Sequence, residues 1–151
     1  MADTSQYSMN RFTINTTYHP DSSELYSFLC ATGFQASVSM DDYIEKVQSN
    51  AVFVSMQDEK RIMKGLSISY MNRQERDFAY LTYIAVYKDV RGNGGGKSLL
   101  LETIEVARQK GFGRFRLEVR KDNIVARHLY ESLGFTYVGK TDYSDYMELA
   151  L

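Results

Sequence analysis

Several features that often declare a protein's work are scarce in this chain. Cysteine occurs once in 151 residues, as Cys30, which excludes an internal disulfide and predicts a reducing, cytoplasmic setting. Its neighbours Leu25, Phe28 and Leu29 predict a buried thiol on a helix, and no residue near it in sequence equips it as a nucleophile. Histidine occurs twice, as His19 and His128, in no spacing that suggests a catalytic triad or a metal site, so no metal is expected. Tryptophan is absent. No apolar run approaches the roughly 18 residues that span a bilayer, and residues 1–10 are polar and lack the apolar stretch of a signal peptide. The formal net charge is only −1, which removes any global attraction to nucleic acid or to an anionic membrane. Basic residues gather over 108–127, but Glu118 and Asp122 interrupt them. Neither repeat, low-complexity tract nor linker divides the chain. One domain over residues 1–151 is expected, large enough for a proper core.

What the chain does have is an ordinary globular balance, 44% hydrophobic against 25% charged residues. Its patterns alternate between strand and helix. Residues 12–18 alternate polar and apolar positions and stop at His19-Pro20, predicting a strand. A helix over 22–31 follows, stopped by Gly33, and Ser39 with Asp42 three residues on resembles a capping box that opens a helix to about residue 49. Residues 51–56 and 61–70 read as a hairpin. Residues 78–86 are apolar on both alternating sides, Phe78, Tyr80, Ile84 and Val86 against Ala79, Leu81, Tyr83 and Ala85, as expected of an interior strand covered on both faces. A helix over 95–110, a strand over 114–119, a helix over 123–133 and two last strands over 135–140 and 146–151 complete the chain. The sum is an α/β (α+β) three-layer domain of about seven strands with helices on both faces.

The segment Val90-Arg91-Gly92-Asn93-Gly94-Gly95-Gly96-Lys97-Ser98 lies between the interior strand and the long helix. Its glycines expose backbone N–H groups, and the helix start adds about half a positive charge. Together they make an anion site, with phosphate as the leading ligand. Two nucleotide motifs fail on spacing. A P-loop needs glycine where Arg91 stands, and G-x-G-x-x-G fails from Gly92 and from Gly94 because Lys97 and Leu99 hold the third glycine place.

Arg91-x-x-Gly94-x-Gly96 resembles the R/Q-x-x-G-x-G/A signature of the GNAT N-acetyltransferase superfamily. Leu117-Glu118-Val119, Asn123, Ala126, Leu129-Tyr130 and Gly134-Phe135 resemble that family's second signature, L-x-V…N-x-x-A-x-x-L-Y-x-x-x-G-F. The second half is most similar to ribosomal-protein alanine N-acetyltransferases. Phe34, Asp42-Tyr43-x-x-Lys46 and Asn50-Ala51 resemble members that acetylate amino sugars. Gly95 stands where a branched apolar residue is usual, and Lys88 where proline is common.

The resemblance implies a mixed, mostly antiparallel sheet and an enzyme that moves acetyl directly from acetyl-CoA to a primary amine. The acceptor is a small amine, an amino sugar or a protein N-terminus. It further implies that Arg91, Gly92, Asn93, Gly94, Gly95, Gly96 and Lys97 hold the pyrophosphate. Ile84, Ala85 and Val86 would pair with the pantetheine arm, and Asn123 would touch the cofactor or simply cap its helix. Glu118 would be the general base, against the plainer role of a carboxylate paired with a neighbouring arginine. Tyr130 would meet the departing sulfur, against the plainer role of packing its helix. Tyr83, Tyr143 and Tyr146 are candidates for the acceptor pocket. A homodimer fits the family. The contrasting reading is a non-catalytic acyl-CoA-binding sensor or interaction module.

Overall fold

The computed structural model describes residues 12–72, 74, 77–92 and 94–151. Seven strands, β1 (Thr13–Asn15), β2 (Ala51–Gln57), β3 (Met63–Tyr70), β4 (Ala79–Val86), β5 (Arg114–Arg120), β6 (Thr136–Lys140) and β7 (Ser144–Ala150), form one sheet in the order β1-β2-β3-β4-β5-β7-β6. Every neighbouring pair is antiparallel except β4–β5. The described helices are α1 (Ser22–Thr32), α2 (Met40–Asn50), α3 (Gly95–Gln109) and α4 (Ile124–Ser132).

Each helix buries one apolar stripe, and the stripes select the sheet face. Leu25, Phe28 and Leu29 of α1 and Tyr43, Ile44 and Val47 of α2 pack on Phe53, Leu66 and Ile68. On the other face, Leu100, Ile104 and Ala107 of α3 and Tyr130 of α4 pack with Ala79, Leu81, Phe115, Leu117, Val119 and Met147. The expected three layers are present. The helices α1 and α2 pack against residues of β2, β3 and β4, so the same face of β5 carries the half-exposed Arg116 and the exposed Arg114, Glu118 and Arg120.

Gly65 of β3 lies in a tightly packed layer beneath α3. A Cβ on it would lie 2.8 Å from Val86 Cγ1 of β4, 3.3 Å from Met56 Cβ of β2 and 3.4 Å from Leu99 Cδ2 of α3, so the neighbouring strands leave room only for hydrogen. Two residues along β3, the Ser67 and Thr103 hydroxyls bond at 2.6 Å in the same buried layer.

Three expectations need correction. Cys30 is exposed, because it lies one residue, about 100° of helix, past Leu29 and so off the buried stripe. The first strand is shorter than residues 12–18, and the last begins at Ser144 instead of residue 146. The third correction concerns the faces of β4 and bears on the site below. Readings placed on residues 1–10 and on Asn93 lie outside the described residues.

Candidate active site

Strands β4 and β5 are the only parallel neighbours in the sheet of the described residues, and they part early. Their ladder has two rungs, Ala79↔Phe115 and Tyr80↔Arg116, although the strands run on to Val86 and Arg120. Beyond Tyr80 each strand keeps only its outer partner, β3 for β4 and β7 for β5. A gap opens between them.

Within this gap β4 carries a bulge. Ile68 faces Tyr83, whereas the next residue, Ser69, faces Leu81, so Thr82 is the extra residue. A bulge places two successive side chains on one side and reverses the alternation beyond it. Thr82 meets Tyr43 of α2, and Tyr83 meets Thr32 of α1. Leu81 before the bulge and Ile84 after it both pack on the α3 side. Simple alternation put Ile84 with Tyr80 and Leu81 with Tyr83; the bulge overturns both pairings.

The bulge also fixes which backbone groups face the gap. The Tyr87 N–H donates to the Lys64 carbonyl at 2.8 Å, which sets the phase of the ladder. Tyr83 and Ala85 turn their backbone groups to β3, while Ile84 and Val86 turn theirs toward the gap. The Val86 carbonyl accepts a hydrogen bond from Arg91 Nε at 3.1 Å, tying the glycine loop to the strand end.

On the α1/α2 side, the gap widens into a cleft of about 530 Å³. Its walls include Phe34, Tyr43, Tyr80, Thr82 and Tyr83, with Glu118, Arg120 and Ser144 opposite. Glu118 has no ion pair among the described residues. Arg116 is bound instead to Glu148 at 2.7 Å and Arg120 to Asp122 at 3.3 Å. The closest polar contact to Glu118 is the Tyr80 hydroxyl, 3.5 Å from Oε1, a long contact that leaves the carboxylate available to solvent or ligand.

The α3 start lies at the far end of β4. A 3₁₀ turn, Lys88–Val90, drops the buried Val90 into the core and leads to the loop. Gly94, with φ +79°, is the residue before the helix and offers no side-chain cap; no acidic residue stands in the first turn. The first intrahelical bond is Ser98 N–H to the Gly94 carbonyl at 3.0 Å. A Cβ built on Gly94 or Gly96 meets nothing within 4 Å, so the side-chain positions of these two glycines are open. Gly92 also has positive φ. Lys97 is exposed on the first turn.

Tyr130 lies on the opposite face of the sheet from Glu118, in the cluster that holds Leu81, Leu117 and Val119. These are β4 and β5 residues beyond the last rung. The Tyr130 ring is 8% exposed and lies 5.7 Å from Phe135. Burial pushes its phenol above the usual value. Its hydroxyl makes no hydrogen bond among the described residues. Asn123 caps α4, its Oδ1 accepting the Ala126 N–H at 3.2 Å.

Glu118, Arg120 and Tyr83 are thus brought to one cleft, and Arg91 with Gly92, Gly94, Gly95, Gly96 and Lys97 to the helix start. Tyr143 is 73% exposed in the β6–β7 turn and does not line the cleft. Tyr146 sits opposite Glu118 on β7, next to the cleft rather than among its lining residues. Sequence reading missed Tyr80 and Thr82. Thr82, the lone polar residue in an apolar strand, was the available signal for the bulge.

A sequence model of the acetyltransferase (GNAT) family matches residues 17–135. The chain is 25% identical over 136 residues to the uncharacterised N-acetyltransferase YobR of Bacillus subtilis, covering 89% of this chain and 53% of that protein. It is 44% identical over 59 residues to the ribosomal protein bS18-alanine N-acetyltransferase of Escherichia coli, covering 39% of this chain and 40% of that protein. The chain therefore spans about half the length of these curated relatives. Among solved structures, the S18-alanine N-acetyltransferase of Escherichia coli superposes with a TM-score of 0.73 at 26% identity, over 93% of this chain and 92% of that one. The PaiA N-acetyltransferase of Thermoplasma acidophilum, solved with coenzyme A, shares the fold with a TM-score of 0.72 at 17% identity, over 93% and 99%. The parted β4–β5 pair and the uncapped glycine start of α3 lie within the matched segment, and the chain belongs to the acetyltransferase (GNAT) family.

Proposed function

We propose that this chain, acting as one domain over residues 1–151, transfers an acetyl group from acetyl-CoA directly to a primary amine. The observation that carries the reading is the meeting of three features along one strand: the uncapped start of α3, the open backbone edge at Ile84 and Val86, and the cleft at Glu118. The residues fit the donor. N–H groups of Gly95, Gly96 and Lys97 have no helical partner, and such groups at a helix start suit a pyrophosphate. Ile84 and Val86 would hold the pantetheine arm as a strand holds an added strand, with Ala85 locked to β3 between them. Arg91, Gly92, Asn93 and Asn123 complete the candidate contacts. Acetyl-CoA supplies an activated acyl group as its thioester.

The acceptor must be a neutral amine to attack. A primary amine of pKa near 10.4 is neutral in only about one part in a few thousand at pH 7. Glu118, without an arginine partner and facing the cleft, is placed to take that proton directly or through a water. Tyr130 is suited to a different task. Its burial raises a phenol already near 10, so donating a whole proton to a thiolate of pKa about 8.5 runs uphill by more than about 2 kcal/mol. It acts as a fixed hydrogen-bond donor to the departing sulfur, and solvent completes the transfer. Resemblance to the bS18-alanine enzyme supports a protein N-terminus among the acceptors, beside small amines and amino sugars.

Thiol release from acetyl-CoA, measured across peptides, polyamines, amino sugars and simple amines, tests this reading. Turnover with at least one amine is expected. Glu118→Gln should lower kcat/KM by about 10²- to 10⁴-fold with unchanged acetyl-CoA affinity. Tight acetyl-CoA binding with no thiol release from any amine would instead establish a non-catalytic acyl-CoA-binding module.

A further inference from the structure

Resting on the acetyltransferase reading, we infer that the acceptor cleft selects a primary monoamine with a flat aromatic ring. Polyamines fit it less well. The first observation is an aromatic wall. Phe34 lies with its ring 4.5 Å from Tyr43 and 4.8 Å from Tyr83, centroid to centroid. Tyr80 lines the same cleft beside Glu118. Such a wall offers ring faces and edges that stack on another ring, and near Glu118 it favours an ammonium group.

The second observation is that the wall's hydroxyls already have partners. Tyr43 Oη lies 3.3 Å from Thr82 Oγ1, and Tyr83 Oη lies 2.7 Å from Thr32 Oγ1. These bonds join the wall to the bulge and to the end of α1 and fix the ring orientations, while Gln35, Ser37 and Ser144 add polar groups to the lining.

The third observation is charge. Among the described lining residues Glu118 is the one carboxylate and Arg120 the one cation. A single ammonium beside Glu118 is compensated. The second ammonium of a polyamine finds no further carboxylate among these lining residues, an arrangement that disfavours it.

Steady-state thiol release with phenethylamine, ethylamine, spermidine, glucosamine and an alanine-initiated peptide tests this selection. Phenethylamine should exceed ethylamine in kcat/KM by about tenfold through KM, and should exceed the other three. Phe34→Leu should raise the phenethylamine KM several-fold and so bring its kcat/KM toward that of ethylamine, and Phe34→Tyr should restore the preference. An unchanged thermal melt shows that the variant is folded. Preference for spermidine, glucosamine or the peptide overturns this selection and leaves the acetyltransferase reading standing. Equal use of phenethylamine and ethylamine overturns it too. Absence of thiol release with every amine overturns the acetyltransferase reading and this inference together.

Discussion

Helices α2 and α3 begin in opposite ways. Before α2, the Ser39 hydroxyl accepts the Asp42 N–H at 3.1 Å, and Asp41 and Asp42 place negative charge in the first turn. The α1 start repeats that arrangement with Asp21 accepting from Glu24 at 2.8 Å. At α3 the preceding residue is glycine, no side chain caps the helix, and the first turn holds no acid. The usual start satisfies its own N–H groups and neutralises the helix dipole. The α3 start leaves both undone, at some expense in stability, and so remains able to take an anion. On the proposed reading the contrast matches two tasks: the side of the sheet covered by α1 and α2 holds the acceptor wall, and the α3 start serves the donor.

The strongest way to break the contrast is to give α3 the negative charge that α2 has. Gly94→Asp brings a carboxylate beside the bound phosphates. At about 4 Å and an effective dielectric near 20 the repulsion is about 4 kcal/mol, on the order of a thousandfold in acetyl-CoA affinity by calorimetry. Affinity within tenfold of the parent would detach the loop from the donor.

Gly65→Ala presses on Val86, at the end of the open edge of β4, without touching the loop. Its Cβ would lie 2.8 Å from Val86 Cγ1, an overpacking of about 1–3 kcal/mol. Thermal melting should drop by roughly 5 °C, and acetyl-CoA affinity should weaken with it. An unchanged melt would show that the Val86 side chain moves aside at little cost.

Tyr130→Phe should lower kcat about tenfold and leave acetyl-CoA affinity alone, since one hydrogen bond to a developing charge is lost. Burial raises the Tyr130 pKa in the folded state. Protonation is therefore favoured by folding, the hydroxyl stays a donor through neutral and mildly alkaline pH, and it is lost only as pH rises through the raised value. The kcat ratio of parent to variant should stay flat from pH 7 to about 9.5. A ratio that falls to one within that range would remove Tyr130 from the reaction.

Ser39→Ala is the mild control on the other side. It should cost about 1 kcal/mol through the lost cap, read as a small drop in melting temperature, with acetyl-CoA affinity unchanged. A change in that affinity would show that the two halves are coupled.

Much of the donor half was legible in the chain. Gly92, Gly94 and Gly96 lie close together in sequence, and a helix start with no acid nearby can be read residue by residue. The alternation of Phe115, Leu117 and Val119 with Arg116, Glu118 and Arg120 was also legible, because one side of β5 is polar and the other is not. β4 hid its bulge for the opposite reason. Both of its faces are apolar, so a period of two cannot reveal an extra residue. The acceptor wall was hidden more deeply, since Phe34 and Tyr83 lie 49 positions apart (83 minus 34) and meet only through the packing of α1 on β4.

The sequence by itself determined the local devices: the Ser39 cap, the uncapped glycine start, the apolar stripes of the helices and the order of helices and strands. Each depends on neighbours within a turn or two, where covalent spacing alone sets the geometry. Tertiary structure alone decided the early parting of β4 and β5, the release of Glu118 from Arg116 and Arg120, and the union of four aromatic rings into one wall. Those outcomes depend on which distant groups win each partner. Glu148 takes Arg116, Asp122 takes Arg120, and Thr82 and Thr32 take the tyrosine hydroxyls. Such competition is settled by packing in three dimensions and leaves no periodic trace along the chain.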